Sequence, residues 1–288
     1  MDLEQFVLAN EPALRLGFFL GVFAVIGLWE VVAPRRALTA SKAMRWASNL
    51  GLVALNTVLL RLVFPLAAAG VAAFCAANGW GLLNHFRVPF WLAVPIGVIA
   101  MDFVIWLQHV MVHAVPALWR LHRVHHTDPD YDVTTGARFH PIEIALSMLI
   151  KFATIAVLGP PVLAVVVFEI LLNATAMFNH GNIRIPIGVD RVLRLLVVTP
   201  DMHRVHHSVE EDETNSNFGF NLPWWDRLFG TYRAQPRAGH EAMTIGIHGH
   251  KDPREVARLD GMLLLPFRGE VEGYAINRRD WRDGRAKR

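Results

Sequence analysis

Cysteine and charged residues are both scarce in this chain of 288 residues. Cys75 is the only cysteine, which excludes disulfides within the chain and metal sites built from several cysteines. Charged residues make up 18% of the chain, whereas a soluble domain carries about 25%. Because hydrophobic residues make up 53%, the composition indicates that lipid covers part of the surface.

Several motifs of common enzyme classes are missing as well. The chain has neither the HExxH motif of zinc peptidases nor the GxSxG turn of serine hydrolases. It also lacks the glycine fingerprint of dinucleotide-binding domains and the HPGG motif of cytochrome b5. No nucleic-acid-binding motif is recognisable, so we expect no nucleic-acid partner. Any redox chemistry therefore needs an external electron donor.

Long apolar regions predict an all-α membrane protein with about four to five membrane-embedded helices. A helix needs roughly 20 residues to cross a bilayer. The apolar regions are 13–32, 50–77, 88–108 and 142–178. The last is too long for one crossing, and Gly159-Pro160-Pro161 divides it into a helical hairpin that either spans or re-enters the membrane. Acidic residues precede the first region, so we expect a retained span rather than a cleaved signal.

The distribution of Lys and Arg predicts the orientation of these spans. Residues 33–48 contain four of them, whereas residues 78–87 contain only Arg87. The positive-inside rule places the first of these loops in the cytoplasm. Threading the spans from there puts every histidine motif and the C-terminus on the cytoplasmic side. We therefore predict an integral protein, of a bacterial inner membrane, whose active site faces the cytoplasm.

The sequence suggests three regions of different character. Residues 1–108 contain the N-terminal membrane spans, and residues 109–232 contain the histidine motifs together with the hairpin. Residues 233–288 are polar and are predicted to form a solvated cytosolic tail. Four histidines outside the central region are predicted not to bind metal: His85, His240, His248 and His250.

Histidine is unusually frequent, and ten of the 14 histidines lie between positions 109 and 207. Eight of them form one HxxxH motif and two HxxHH motifs. These are His109 and His113, then His122, His125 and His126, then His203, His206 and His207. On a helix, residues three or four apart share a face, so each motif can present several imidazoles to a metal. Eight imidazoles would overfill one four-coordinate zinc site and suit two metal ions.

The ligand type alone leaves the metal and the function open. Imidazole binds zinc, copper, iron and nickel. We favour iron, because no acidic residue stands beside the motifs as a hydrolytic base. The alternatives are a metal transporter or store and a membrane zinc hydrolase. Transport sites lie near the bilayer midplane, whereas these motifs fall in segments predicted to be cytoplasmic.

The three motifs resemble those of the fatty acid hydroxylase superfamily of integral-membrane di-iron proteins, which includes sterol desaturases and alkylglycerol monooxygenases. The order HxxxH, HxxHH, HxxHH is the hallmark of that superfamily. Further matches are Arg138-Phe139-His140-Pro141, Asn179-His180-Gly181-Asn182 and the segment 221–232. The resemblance covers about residues 95–232.

This resemblance implies a non-haem site of two Fe ions, with O2 as co-substrate, in a mostly helical fold with a cytosolic histidine-rich cap. It implies hydroxylation or desaturation of a lipid C–H bond. It also adds His180 as a ninth ligand, and leaves His140 as a ligand, a helix cap or a residue of the substrate path. Electrons would come from a separate reductase, a ferredoxin or a pterin.

Other residues are predicted to support the site. Metal-bound histidines usually donate their second N–H to a carboxylate or a carbonyl. Asp201 is the best candidate for such a carboxylate, unless it is a simple turn residue. Asp102 lies two helical turns before His109 on the same face, and could instead pair with Arg61 or Lys151. Aromatic residues expected to anchor the cap at the level of the headgroups are Trp224, Trp225 and Tyr232.

Overall fold

The computed structural model describes residues 3–270 and Ile276. The regular secondary structure of these described residues consists of helices and isolated β-bridges, without a strand. The first eight helices are α1 Leu3–Val32, α2 Lys42–Val63, α3 Ala68–Asn78, α4 Leu82–His85, α5 Phe90–Ala114, α6 Pro116–His126, α7 Pro141–Leu158 and α8 Val162–Asn179. The shorter ones that follow are α9 Ile187–Leu193, α10 Pro200–His206, α11 Glu211–Thr214, α12 Trp224–Leu228, α13 Gly239–Ala242, α14 Pro253–Val256 and α15 Leu259–Leu264. Two 3-10 turns cover Thr135–Ala137 and Leu265–Phe267. The predicted all-α fold is confirmed.

Five segments are long and apolar enough to cross a membrane. They are Leu3–Val32, Lys42–His85, Phe90–Ala114, Pro141–Leu158 and Val162–Asn179. The second segment contains α2, α3 and α4. Arg61 lies in the last turn of α2, and the helix ends at Val63, just before Pro65, which has no N–H to continue it. These five apolar segments indicate an integral membrane protein.

One end of the helical bundle is closed by tight turns. Gly159, between α7 and α8, has a φ of 67° and lies against Gly81 at the start of α4. A Cβ atom on Gly81 would lie only 2.2 Å from the nitrogen of Gly159, so this contact requires glycine. The carboxylate of Glu4 accepts a hydrogen bond from the N–H of Leu163 at 3.2 Å. The start of α1 therefore meets the α7–α8 turn at this end.

The opposite end of the bundle gathers the ends of α1, α2, α5, α7 and α8. Glu30, near the end of α1, accepts hydrogen bonds from the N–H groups of Val133 and Asn182 at 2.7 and 2.8 Å. Arg45, near the start of α2, forms buried ion pairs with Asp128 and Asp132, each at 2.6 Å. The segments after α6 and after α8 are thereby held together at one end of the bundle.

The loop after α6 is ordered by its own aspartates. Burial disfavours the charge of Asp128, but Arg45 and Arg138 nevertheless lower its pKa to about 2. The carboxylate of Asp130 accepts hydrogen bonds from the backbone N–H groups of Thr39 and Ala40. These contacts fix the loop between α1 and α2 against the loop that follows the histidines of α6.

The described part of the segment after residue 233 is not the solvated tail that its composition predicts. Met262 and Leu265 are fully buried and pack against Leu52 of α2 and Val124 of α6. Arg123 donates a hydrogen bond to the carbonyl of Leu265 at 2.8 Å. The prediction is wrong here because a few well-spaced apolar residues dock the segment, although most of its residues are polar. The final part, 277–288, lies outside the described residues.

Candidate metal centre

The nine predicted ligand histidines come together in two groups. The first group contains His109, His113, His122, His126 and His206, and the second contains His125, His180, His203 and His207. Within each group, one ring nitrogen per histidine lies within 4.8 Å of all the others. All nine side chains are buried, with at most 2% of their surface exposed.

Helix starts and ends set the direction of these side chains. His109 and His113 lie one turn apart at the end of α5. Proline begins both α6 and α10, at Pro116 and Pro200, where its missing N–H costs no helical hydrogen bond. His180 occupies the C-cap position of α8. Four separate helices therefore deliver histidines to one place.

The closest ring nitrogens within each group are separated by similar distances. In the first group, Nε2 of His109 lies 3.1 Å from Nε2 of His122 and 3.1 Å from Nε2 of His206. In the second group, Nε2 of His180 lies 3.1–3.2 Å from the Nε2 atoms of His125, His203 and His207. Two ligand atoms that each lie about 2.1 Å from one metal ion are about 3.0 Å apart when the ligand–metal–ligand angle is a right angle. They are about 3.4 Å apart when that angle is tetrahedral.

In four of the histidines, the hydrogen bond of Nδ1 determines which ring nitrogen carries the proton. Carbonyl and carboxylate oxygens only accept hydrogen bonds, so an Nδ1 that contacts one carries the proton. These Nδ1 contacts are His109 to Phe218 O, His122 to Glu143 Oε1, His180 to Ala176 O and His206 to Ser216 O, each at 2.7 Å. The Nε2 atom of each of these rings therefore presents a lone pair.

Lone pairs that face one another at 3.1 Å repel, and a cation between them removes the repulsion. His109, His122 and His206 present three such lone pairs to one point. In the same group, Nε2 of His113 and both ring nitrogens of His126 are buried without a hydrogen-bond partner among the described residues. Buried polar atoms are rarely left unpaired. The residues present therefore fit a bound metal ion.

The electrostatics of the site also favour metal binding. Burial, together with the neighbouring imidazoles, lowers the pKa of five histidines well below the usual value: His125, His126, His203, His206 and His207. Burial likewise lowers the pKa of His180, to about 3. Metal ions bind the neutral imidazole, so these rings are ready as ligands without releasing a proton.

A cavity of about 240 Å³ lies beside the first group, within the helical bundle. His109 and His122 line it together with Phe139 and Phe220. The ring of Phe139 stacks on His125 at 4.5 Å, and the ring of Phe220 lies 4.8 Å from that of His109. Aromatic rings thus line the cavity beside the histidines.

Comparison with known proteins agrees with this geometry. Residues 94–231 match the family model described as Fatty acid hydroxylase. The region of the chain that holds both groups of histidines is thus similar to the fatty acid hydroxylase family. The comparison with solved structures gave no match.

The curated relatives to which this chain is similar are lipid-modifying enzymes by name. It is 30% identical to an ornithine lipid hydroxylase of Rhizobium tropici over 73% of its own length and 62% of that protein. It is 29% identical to the human alkylglycerol monooxygenase over 54% of its own length and 34% of that protein. It is 26% identical to a methylsterol monooxygenase of Arabidopsis thaliana over 58% of its own length and 64% of that protein. The chain thus spans less than two thirds of each relative.

Glu143 is a residue of the candidate centre that the sequence analysis missed. It lies in the first turn of α7, and its carboxylate accepts the Nδ1–H of His122. An acidic residue therefore does lie beside one of the motifs, in contact with His122. Glu143 is 21 residues from His122 in sequence, so their contact depends on the packing of α6 against α7. An ionisable residue within an apolar segment was the available signal.

His140 and Asp201 lie next to the centre but do not join either group of nitrogens. Nδ1 of His140 accepts a hydrogen bond from the N–H of Ile142 at 3.2 Å and so caps α7. This is one of the roles that the sequence left open for His140.

Asp201 pairs with Arg204 and, at 3.3 Å, with Arg35, which ties α10 to the segment after α1. A direct contribution of Asp201 to metal binding stays a prediction.

Asp102 and the three aromatic residues near the end of the domain form contacts of their own. The carboxylate of Asp102 accepts a hydrogen bond from Nε1 of Trp225 at 2.8 Å, rather than pairing with Arg61 or Lys151. Nε1 of Trp224 donates to a backbone carbonyl, and the guanidinium of Arg227 lies 4.0 Å from the centre of the Tyr232 ring. Anchoring at the level of the headgroups stays a prediction for these three residues, as does a role of Asp102 beside the histidines.

Proposed function

We propose that this protein uses O2 to hydroxylate a C–H bond of a lipid at a centre of two metal ions bound by the nine histidines. The observation that supports this most is the convergence of two groups of ring nitrogens beside a cavity between apolar helices. Hydroxylation is preferred to desaturation because the relatives are named hydroxylases and monooxygenases. In this reaction a C–H bond, O2, two electrons and two protons give a C–OH group and water.

Two iron ions held at this centre would supply the reduction of O2 that breaking a C–H bond requires. Nitrogen ligands do not select iron over zinc, so the choice of iron rests on the need for a redox-active metal. The protein carries no motif for a redox cofactor of its own. A separate reductase, a ferredoxin or a pterin is therefore proposed as the electron donor.

The side chains around the histidines orient the rings and exclude water. Glu143 holds the ring of His122 through Nδ1–H and raises the basicity of Nε2. The carbonyls of Phe218 and Ser216 hold His109 and His206 in the same manner. The aromatic rings of Phe139 and Phe220 give apolar walls, beside His109 and His122, to the cavity that would receive the substrate.

Lipid analysis of a deletion strain tests the proposed reaction. We expect the strain to lack lipids that carry one additional oxygen atom, and to accumulate their unoxidised precursors. Expression of the wild-type gene should restore the oxidised lipids only in the presence of O2, and a His206→Ala variant should not restore them. Lipid profiles that do not change on deletion, or conversion that continues without O2, would contradict the proposal and favour zinc hydrolysis or metal transport.

A further inference from the structure

Two cavities with different walls meet beside the first histidine group. An apolar cavity of about 400 Å³ lies between α5 and α7 and is lined by residues such as Leu107 and Leu149, which are exposed on the surface of the bundle. The smaller cavity of about 240 Å³ reaches His109 and His122. Both are lined by Gln108, Val112 and Glu143. These three residues therefore lie at the boundary between the apolar cavity and the cavity beside the histidines.

Three buried oxygen atoms in the wall of the smaller cavity lack a hydrogen-bond donor among the described residues. They are Oδ1 of Asn56, Oε1 of Gln108 and Oε2 of Glu143. The amide of Asn56 is fixed, because its Nδ2 donates to the carbonyl of Phe139 at 2.9 Å. A buried acceptor without a donor is unfavourable, and an O–H or N–H group of a ligand relieves it. The wall therefore suits a ligand that donates hydrogen bonds.

Charged residues occupy another part of the same wall. Nζ of Lys151 pairs with Glu169 at 2.6 Å, and Nη1 of Arg15 lies 3.1 Å from the other carboxylate oxygen. These residues come from the middle of α7, α8 and α1, where ionised groups are costly because lipid surrounds the helices. An alkyl chain packed against them would remove more of their solvation. This part of the wall is therefore poorly suited to contact with an acyl chain.

We propose that the substrate is a lipid whose hydroxyl or amino group enters the smaller cavity while its alkyl chain lies in the apolar cavity between α5 and α7. The unpaired acceptors on the wall of the smaller cavity suit the polar part of such a lipid, and the leucines of the other cavity suit its chain. The C–H bond oxidised is then within a few bonds of the polar group and not far along the chain. This proposal rests on the proposed function, and the reaction is the same hydroxylation, with electrons and protons from the external donor.

The test compares three probes that share one chain: hexadecanol, hexadecylamine and hexadecyl methyl ether. Binding to the purified, metal-containing protein in detergent micelles is measured without O2 or reductant. The readout is the rise in melting temperature when each probe is present at the same mole fraction in the micelles. We expect the alcohol, the amine or both to bind about tenfold more tightly than the ether, because the ether has no O–H or N–H to donate. Which of the two binds more tightly identifies the polar group. Equal binding of all three probes would overturn the proposal.

Variants separate the two parts of the proposed site. Gln108→Met keeps the length of the side chain and should remove most of the advantage of the donor probes, whereas Gln108→Glu keeps an acceptor and should retain it. Leu149→Trp should fill the apolar cavity and weaken the binding of all three probes. Leu62→Trp is the matched control, since Leu62 is 74% exposed and lines neither cavity.

If Gln108→Met leaves the preference unchanged, the inference is wrong. Because these measurements need no turnover, they are independent of the proposed function. A protein that binds donor probes but never oxidises a lipid would contradict the proposed function alone. A protein that oxidises lipids but binds the ether as tightly as the alcohol would contradict only this inference.

Discussion

At the scale of single residues, each HxxHH motif contributes to both groups of histidines. In α6, His122 and His126 belong to the first group and His125 belongs to the second. In α10 the assignment is reversed, with His206 in the first group and the pair His203 and His207 in the second. In a helix with 3.6 residues per turn, the side chain at i+4 is rotated about the helix axis by about 40° from that at i. The side chain at i+3 is rotated by about 60° in the opposite direction. One short helix can therefore serve two metal ions.

Replacing single histidines tests this division. His125→Ala removes one of four nitrogens from the second group and leaves the first group complete. We expect the metal content to fall from about two ions per chain to about one, and activity to fall at least about 100-fold. His248→Ala is the control, because His248 is exposed and belongs to neither group. Full metal content and turnover in His125→Ala would show that His125 is not a ligand.

The contact between Glu143 and His122 gives a second prediction. Glu143→Gln keeps an oxygen that can accept the Nδ1–H, whereas Glu143→Leu leaves this N–H without an acceptor. Loss of such a partner typically lowers metal affinity or activity by about 10–100-fold. We expect this loss in Glu143→Leu and a smaller one in Glu143→Gln, measured as metal retention against increasing chelator. Wild-type retention in Glu143→Leu would rule out a role of this carboxylate at the metal centre.

At the scale of helices, the sequence predicted the elements that depend on local patterns. The apolar regions predicted the long helices, and the histidine spacing predicted rings that share a helix face. The contact between His122 and Glu143 depends on how two helices pack, so no local pattern reveals it. The docking of the segment after residue 233 was missed for a similar reason, since Met262 and Leu265 become core residues only through their contact with α2 and α6.

The docked segment supports α6 from the side opposite the metal centre. Leu265 is fully buried, whereas its neighbour Leu264 is about half exposed. Truncating a buried leucine costs about 2–5 kcal/mol. We expect Leu265→Ala to lower the melting temperature of the purified protein and to speed metal loss to a chelator, while Leu264→Ala should change neither much. Equal effects of the two substitutions would show that this segment does not stabilise α6.

At the scale of the whole molecule, the fold places the histidine-bearing segments at one end of a bundle of apolar helices. The other end carries the turn at Gly159 and the start of α4. This arrangement agrees with one face of the membrane holding the centre, and the Lys and Arg distribution suggests that this face is cytoplasmic. A lipid could then reach the centre from within the bilayer, and a soluble electron donor could reach it from the cytoplasm.

Reporter fusions test the orientation. A fusion at Gly79 should be active with a periplasmic reporter, and a fusion at the C-terminus should be active with a cytoplasmic one. A fusion at Arg36 serves as the control for the cytoplasmic side, because that loop carries the excess of basic residues. A C-terminus on the periplasmic side would reverse the predicted orientation and place the centre out of reach of cytoplasmic donors.

The most direct test of the central claim is to count metal ions and measure O2 uptake in the same purified preparation. Protein from iron-replete cells should contain about two iron ions per chain and consume O2 when supplied with reductant and its lipid substrate. Chelation should abolish O2 uptake, Fe²⁺ should restore it, and Zn²⁺ should occupy the site without restoring it. A stoichiometry near one, or full turnover in protein that contains only zinc, would contradict a centre of two iron ions.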